Sequence, residues 1–136
     1  MATKQIHTTS NPYERLFGYS RAIRKGPFIF ISGTTCIPAS GADSAPPASA
    51  YEQTKMAYQN AVDALLALGG KVEDVVRVRM YVRDEADCDE VGRGMKEFFE
   101  GMAGGEVGFA ATMVAGLRFV RGELLVEVEV DAVGDL

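Results

Sequence analysis

The sequence predicts a single α+β domain spanning residues 1–136, in which a mixed β-sheet of about six strands carries two helices on one face. Apolar and β-branched runs occur before residue 33, at residues 75–82 and near the C-terminus, and they favour strands there. Between these runs, two stretches repeat apolar residues at helical spacing. One sheet covered by two helices is the simplest packing for this order of elements.

The first three predicted strands lie before residue 33. Residues 5–9 are a candidate short strand, after which Asn11-Pro12 and Phe17-Gly18 indicate a loop. Residues 19–24 and 28–32 are rich in β-forming residues, and the intervening Lys-Gly-Pro predicts a hairpin.

A polar turn, a loop and the first helix are expected next. Ser32-Gly33-Thr34-Thr35 is typical of a polar turn, and residues 38–49 predict an exposed loop because they are rich in Pro, Ala and Ser. Ser49 and Glu52 fit a capping box, which predicts the start of a helix. Gly69-Gly70 is expected to end that helix.

The second helix and the last strands complete the sheet. A second helix is predicted from its apolar stripe of Val91, Met95, Phe98, Phe99 and Met102. In residues 75–82, alternation places two sets of side chains on opposite faces of a strand. One face carries Val76, Val78, Met80 and Val82, and the other carries Val75, Arg77, Arg79 and Tyr81. In the last strand the two faces are Leu124, Val126, Val128, Val130 and Ala132 against Leu125, Glu127, Glu129 and Asp131. The apolar faces should take the helices, and the charged faces then suit a subunit interface or a pocket between subunits.

Composition narrows the classes of function. A net charge of −5 argues against a sequence-independent nucleic-acid binder, so no nucleic-acid partner is expected. The N-terminus has no secretory pattern and no long apolar run exists, so no membrane association is expected and a cytoplasmic location is predicted. Cys36 and Cys88 lack metal-type spacing and His7 is the single histidine, so no metal site built on these residues is expected.

Several segments, in order along the chain, resemble one family. They are Phe17-Gly18-Tyr19-Ser20-Arg21-Ala22, Phe30-Ile31-Ser32-Gly33-Thr34-Thr35, residues 74–84, Phe98-Phe99, Ala110-Ala111-Thr112-Met113-Val114 and Val126-Glu127-Val128-Glu129-Val130. Together they resemble the RidA/YjgF family of reactive-intermediate deaminases, also labelled L-PSP endoribonucleases. The resemblance implies a chorismate-mutase-like fold and a homotrimer with ligand clefts between subunits. It also implies hydrolysis of 2-imino or 2-enamino acids to 2-keto acids and ammonia, without metal or cofactor.

One residue that the resemblance leads us to expect is absent. Deaminating members hold the substrate carboxylate with an arginine in a Pro-Ala-Arg-Ser/Thr motif. The matching residues here are Phe109-Ala110-Ala111-Thr112, so Ala111 takes the arginine's position, beside Thr112. The turn Ser32-Gly33-Thr34 matches the family's substrate-binding turn. We therefore expect a ligand cleft of this kind with an altered substrate range.

The resemblance also supplies catalytic candidates, each with a structural alternative. Glu127 matches the water-activating glutamate, and it could instead form an interfacial ion pair with Arg77 or Arg79 of a neighbouring subunit. Tyr19 matches the site tyrosine that orients the substrate, and it could equally be an interface residue. Arg21 and Arg79 are candidates to supply the missing cation from other strands.

Two functions from different classes follow. The first is a RidA-like hydrolase acting on a small imine, enamine or related carbonyl ligand in an intersubunit cleft. The second is a non-catalytic ligand-binding or protein-interaction module on the same trimeric scaffold. An endoribonuclease is disfavoured by the acidic charge and by the lack of a histidine pair.

The predicted assembly is directly testable. Native mass spectrometry is expected to show a species of three chains, because the implied clefts lie between subunits. A clean monomer would remove the intersubunit cleft and contradict the prediction.

Overall fold

The computed structural model describes residues 3–102 and 108–135. Its elements are β1 (Gln5–His7), α1 (Pro12–Phe17), β2 (Ala22–Lys25), β3 (Phe28–Thr34), α2 (Ala50–Ala67), β4 (Val75–Val82), α3 (Cys88–Met102), β5 (Ala110–Ala115) and β6 (Val126–Val133). Within these residues the strands form one sheet in the order β1-β2-β3-β6-β4-β5. Strands β4 and β5 run parallel, and the other neighbours are antiparallel. The predicted α+β class with a mixed six-stranded sheet is confirmed.

The core lies between one face of the sheet and the helices α2 and α3. The apolar residues of the central strand β6 are almost completely buried there, as its alternation predicts; they are Val126, Val128, Val130 and Ala132. Burying a valine side chain contributes about 1.5–3 kcal/mol. Helix α2 begins after Ser49, whose hydroxyl accepts a hydrogen bond from the Glu52 N–H at 3.1 Å. This confirms the serine half of the predicted capping box.

The segment between β1 and β2 contains a short helix where a loop was predicted. The Asn11 side chain accepts from the Tyr13 N–H at 3.0 Å, and Pro12 occupies the first helical position. Gly18 ends the helix with a φ of 75°, a left-handed conformation that costs glycine little. The loop prediction was wrong here because the Asn-Pro pair is a helix start rather than a chain break.

Strands β3 and β4 differ from the prediction, β3 in its length and β4 in its alternation. The expected polar turn at Ser32-Gly33-Thr34-Thr35 is mostly strand, since β3 runs on to Thr34 with irregular pairing to β6 between Ile31 and Thr34. In β4, Val75 is 4% exposed and Val76 is 44% exposed, the reverse of the prediction. The register of β4 against β6 shifts at this point, and such a bulge changes which side chains face the core.

The other connections follow the sequence pattern. Strands β2 and β3 pair as the predicted hairpin through Gly26-Pro27. Residues 38–49 contain neither helix nor strand, as expected for a loop of their composition. No helix in the described part of the chain is both long and apolar enough to cross a bilayer.

One polar atom in the core has no partner among the described residues. Tyr58 is fully buried against Phe98 and Phe99, and its hydroxyl makes no hydrogen bond. Burial also raises the pKa of this phenol. An unsatisfied buried hydroxyl is destabilising, by about 1–3 kcal/mol.

Tyr58→Phe is therefore expected to raise the free energy of unfolding, by about 1 kcal/mol, because it removes the unpaired hydroxyl and keeps the ring contacts. Urea unfolding measures the change. Tyr81→Phe is the matched control, since the Tyr81 hydroxyl donates to Glu129 and its loss should not stabilise the chain. A loss of 1 kcal/mol or more in Tyr58→Phe would contradict this account.

Candidate functional site

The short helix α1 places a carboxylate inside the protein. Glu14 is only 4% exposed. Its Oε1 accepts from the Thr9 N–H at 2.8 Å, and its Oε2 accepts from the Thr9 hydroxyl. A buried carboxylate requires a cationic or hydrogen-bonding partner, because ionised groups are costly to remove from water.

Arg21 is that partner and is buried to the same degree. Its Nε donates to Glu14 Oε2 at 3.1 Å, in a buried ion pair. Its Nη1 donates to the Gly33 carbonyl at 2.6 Å and to the Thr34 hydroxyl at 3.0 Å. Its Nη2 donates to the Tyr19 hydroxyl at 3.1 Å. One guanidinium thereby connects α1, β3 and the segment before β2.

Glu127 lies beside this network on the sheet face away from the helices. It is half-buried on β6, and a Cβ at Gly33 would lie 3.0 Å from its Cδ. Glycine at this position is what allows the carboxylate to approach β3. Burial raises the pKa of Glu127, the positive charge of Arg21 opposes that rise, and Glu129 adds to it.

A small cavity joins Glu127 to these residues. Its volume is about 90 Å³, and it is lined by Asn11, Tyr13, Phe17, Tyr19, Arg21, Gly33, Thr35, Ile37, Val120 and Glu127. A larger open groove of about 1010 Å³ runs along α1 but does not include Glu127. We place the candidate site in the smaller cavity, because a carboxylate with a raised pKa and a hydrogen-bonded tyrosine meet there.

Arg79 lies outside this cavity, on the charged sheet face that the sequence predicted. Its Nη1 is 3.2 Å from Asp131 Oδ2 and 3.8 Å from Glu129 Oε2. Tyr81 donates to Glu129 beside it. Within the chain, Arg79 therefore neutralises carboxylates, and its role as a replacement cation stays a prediction.

Ala111 and Thr112 are not part of the cavity either. They lie on β5, two strands from β6, and neighbouring strands are about 4.8 Å apart, so the displacement across the sheet is about 10 Å. Ala111 pairs with the buried Val78 and shares the helix side of the sheet, whereas Glu127 pairs with Tyr81 on the other side. A single chain therefore does not bring Ala111 to Glu127.

The predicted Ser32-Gly33-Thr34 turn contributes one member to the cavity lining. The Ser32 hydroxyl donates to the Ser20 carbonyl at 2.7 Å, and the Thr34 hydroxyl donates to the Ser32 carbonyl at 2.7 Å. Gly33 alone of the three lines the cavity with Glu127. The ligand-binding roles of Ser32 and Thr34 stay predictions.

Sequence reasoning missed the residues that α1 contributes. Glu14, Asn11, Tyr13 and Phe17 fall in the segment interpreted as a loop. The signal was present, because an asparagine cap followed by proline and a later glycine is typical of a short helix. The ion pair of Glu14 with Arg21 had no such signal, since it depends on how the segment folds back.

No group of three or more His, Cys, Asp or Glu side chains in residues 3–102 and 108–135 is arranged to hold a metal ion. Cys36 and Cys88 are free thiols, and burial raises the pKa of Cys36. The polar side chains that line the cavity are Asn11, Tyr13, Tyr19, Arg21, Thr35 and Glu127.

The chain matches the family model described as Endoribonuclease L-PSP over residues 9–134. This fold and this match define its class, and the chain belongs to the RidA/YjgF family. The sequence prediction of the family is confirmed.

Three relatives illustrate the match. An uncharacterized protein of Streptomyces coelicolor is 34% identical over 131 residues, which cover 96% of this chain and 92% of that protein. A Mycobacterium tuberculosis structure, from the YjgF/YER057c/UK114 family, has a TM-score of 0.80 at 30% identity and covers 96% of this chain and 99% of that one. A 2-iminobutanoate/2-iminopropanoate deaminase of Dermatophagoides farinae is 26% identical over 100 residues, covering 74% of this chain and 77% of that protein.

The raised pKa of Glu127 makes folding stability depend on pH. The folded chain binds this proton more tightly than the unfolded chain, whose glutamate titrates near the ordinary value of 4.5. The contribution of Glu127 to stability is therefore most favourable below pH 4.5 and is lost as the pH rises through the folded-state pKa. Glu127→Gln removes the ionisation.

We expect Glu127→Gln to be more stable than the wild type at pH 7, with the advantage shrinking as the pH falls through the folded-state pKa of Glu127 towards 4.5 and absent below it. Chemical unfolding at pH 4 and pH 7 measures this difference. A variant that is less stable than the wild type at pH 7, with the deficit disappearing at pH 4, would show that the folded-state pKa is lowered.

Proposed function

We propose that this protein is a RidA-like hydrolase that converts a small imine or enamine to the corresponding carbonyl compound and ammonia. The observation that supports it most is Glu127, a half-buried carboxylate with a raised pKa beside Tyr19 in one cavity. A general base needs a pKa nearer the working pH than an ordinary glutamate has. The similarity to an imine deaminase supports the reaction class.

In the proposed reaction, Glu127 takes a proton from a water molecule while the water oxygen bonds to the C=N carbon. Glu127 then gives this proton to the imine nitrogen, and the product of addition is a carbinolamine. In the second step Glu127 takes the hydroxyl proton and passes it to the amino nitrogen as the C–N bond breaks, which forms the C=O bond and releases ammonia. Tyr19 orients the reacting nitrogen or oxygen through its hydroxyl, and an enamine enters the same route after tautomerising to the imine.

The proposed substrate carries no carboxylate next to the reacting carbon. Ala111 provides no charge, and Arg21 is already paired with Glu14 and three further acceptors. A cation with free donors in a fork geometry binds a substrate carboxylate most strongly. The apolar side chains of Phe17, Ile37 and Val120 around the cavity instead suit an uncharged substituent.

A homotrimer completes the proposed site. Glu127 and Ala111 lie on opposite faces of the sheet in one chain, so a cleft that contains both positions would take them from two subunits. The exposed aromatic residues Phe28 and Phe30 of β3 lie at 51% and 46% exposure and would gain cover in such an assembly. We also propose a cytoplasmic location, which rests on the family, as the proposed reaction does.

Turnover of 2-iminopropionate tests the substrate class. Ammonia or pyruvate release from the enzymatically generated imine is expected to be at least about tenfold below that of an arginine-containing relative, because a bidentate anion contact is missing. Ala111→Arg is the matched variant and should increase the rate on this substrate. A wild-type rate equal to that of the arginine-containing relative would contradict the proposal.

Glu127→Gln separates the enzyme from a non-catalytic binding module. On an uncharged imine or enamine that the wild type turns over, the variant should lose at least about a hundredfold in kcat while it remains assembled. Glu129→Gln is the matched control on the same strand face and should keep most of the activity. Undiminished turnover in Glu127→Gln would exclude Glu127 as the base. If the wild type turned over none of the imines and enamines tested, the non-catalytic binding module would be favoured.

A further inference from the structure

We propose that Arg21, held by Glu14, is a positioning residue that directs the Tyr19 hydroxyl into the cavity and keeps a positive charge beside Glu127. The catalytic consequence of this inference rests on the proposed function. The positioning of Tyr19 and the charge beside Glu127 can be tested without a substrate. It gives Arg21 a role other than the replacement cation that the sequence predicted. Neither Arg21 nor Glu14 is placed in contact with the reacting atoms.

The guanidinium of Arg21 is fixed on three sides. Glu14 takes its Nε–H, and the Gly33 carbonyl and the Thr34 hydroxyl take the protons of Nη1. A planar fork held at three acceptors has little freedom to rotate. The remaining nitrogen, Nη2, is thereby held where it donates to the Tyr19 hydroxyl at 3.1 Å.

This bond sets the direction in which Tyr19 can act. A phenol hydroxyl both accepts and donates, and here Arg21 occupies an acceptor position of the oxygen. The hydroxyl proton must therefore point away from Arg21. Tyr19 lines the cavity that contains Glu127 as well as the open groove along α1, and we propose that its proton is donated to a ligand nitrogen or oxygen in the cavity.

The charge of Arg21 acts on Glu127 as well. It opposes the rise in the pKa of Glu127 that burial causes, and so favours the ionised carboxylate. The titratable groups around Glu127 on the packed elements are Tyr13 of α1, Tyr19 and Arg21 before β2 with Glu14 paired to Arg21, Arg79 and Tyr81 of β4, and Glu129 of β6. Arg79 is paired with Asp131 and Glu129, and Arg21 is the arginine whose charge acts on the pKa of Glu127.

Glu14 is the group that keeps Arg21 in place. Its Oε2 lies 3.1 Å from the Arg21 Nε, and both side chains are nearly inaccessible to water. Removing one partner would leave a buried charge unpaired, so single deletions endanger folding. The informative variants therefore keep the charge, as Arg21→Lys does, or remove both charges together, as Glu14→Gln/Arg21→Met does.

The test is a ¹³C NMR titration of the Glu127 carboxyl in the full-length protein, with the signal assigned by Glu127→Gln. In Glu14→Gln/Arg21→Met the titration midpoint should rise by about half a pH unit or more, because the nearby positive charge is lost. In Arg21→Lys it should stay close to the wild-type midpoint. The Tyr19 ¹³Cζ signal should shift in both variants, since both lose the fork.

Arg24→Met is the matched control. Arg24 also donates to backbone carbonyls, those of Gly26, Leu68 and Asp135, but it does not line the cavity. Arg24→Met should leave the Glu127 titration midpoint and the Tyr19 ¹³Cζ signal unchanged, even if it lowers the free energy of unfolding. An unchanged Glu127 midpoint in the double variant, or an equal change in Arg24→Met, would overturn the proposal.

A kinetic arm separates this proposal from the proposed function. On a substrate that the wild type hydrolyses, Arg21→Lys should lower kcat about tenfold with little change in KM, and Tyr19→Phe should add little to that loss. Full additivity of the two changes would overturn the link to Tyr19. If the wild type hydrolyses no imine or enamine, the proposed function fails, and the two NMR signals still decide the role of Arg21.

Discussion

The candidate site depends on the buried ion pair between Arg21 and Glu14. Glu14 lies on a helix of six residues, too short to be stable by itself, and Arg21 lies just before β2. Their contact fastens that helix to the sheet, and the same guanidinium holds the Gly33 carbonyl. Gly33 in turn leaves the space in which Glu127 approaches β3. A single buried cation therefore organises three segments around one carboxylate.

The charges around the cavity explain why the missing arginine matters. Among the described residues, Arg21 is engaged by Glu14 and three further acceptors and Ala111 on β5 carries no charge, so neither offers a free donor fork to a substrate carboxylate. An ionised Glu127 would repel an anionic ligand further. These charges support the proposal of an uncharged ligand over an amino-acid-derived imine. The half-buried position and raised pKa of Glu127 are what support the proposed acid and base role.

Much of the fold could be predicted from local patterns, because they are strong where burial is one-sided. The apolar and acidic alternation of β6 predicted both its faces, and Ser49 predicted the start of α2. The bulge at Val75 was not predictable from alternation, since it arises from the register with β6. The site was predictable only in part. Resemblance supplied Glu127 and Tyr19, but the partner of Arg21 required α1 to fold back, which no spacing in the sequence encodes.

The central claim, that this cavity selects uncharged carbonyl-type ligands, is most directly tested by NMR mapping of a matched pair of products. Butanone and 2-oxobutanoate differ in the carboxylate that a family arginine would bind. The account predicts that butanone perturbs the signals of Tyr19, Gly33 and Glu127 at lower concentration than 2-oxobutanoate does. Tighter binding of 2-oxobutanoate, with perturbations centred on the same three residues, would contradict it.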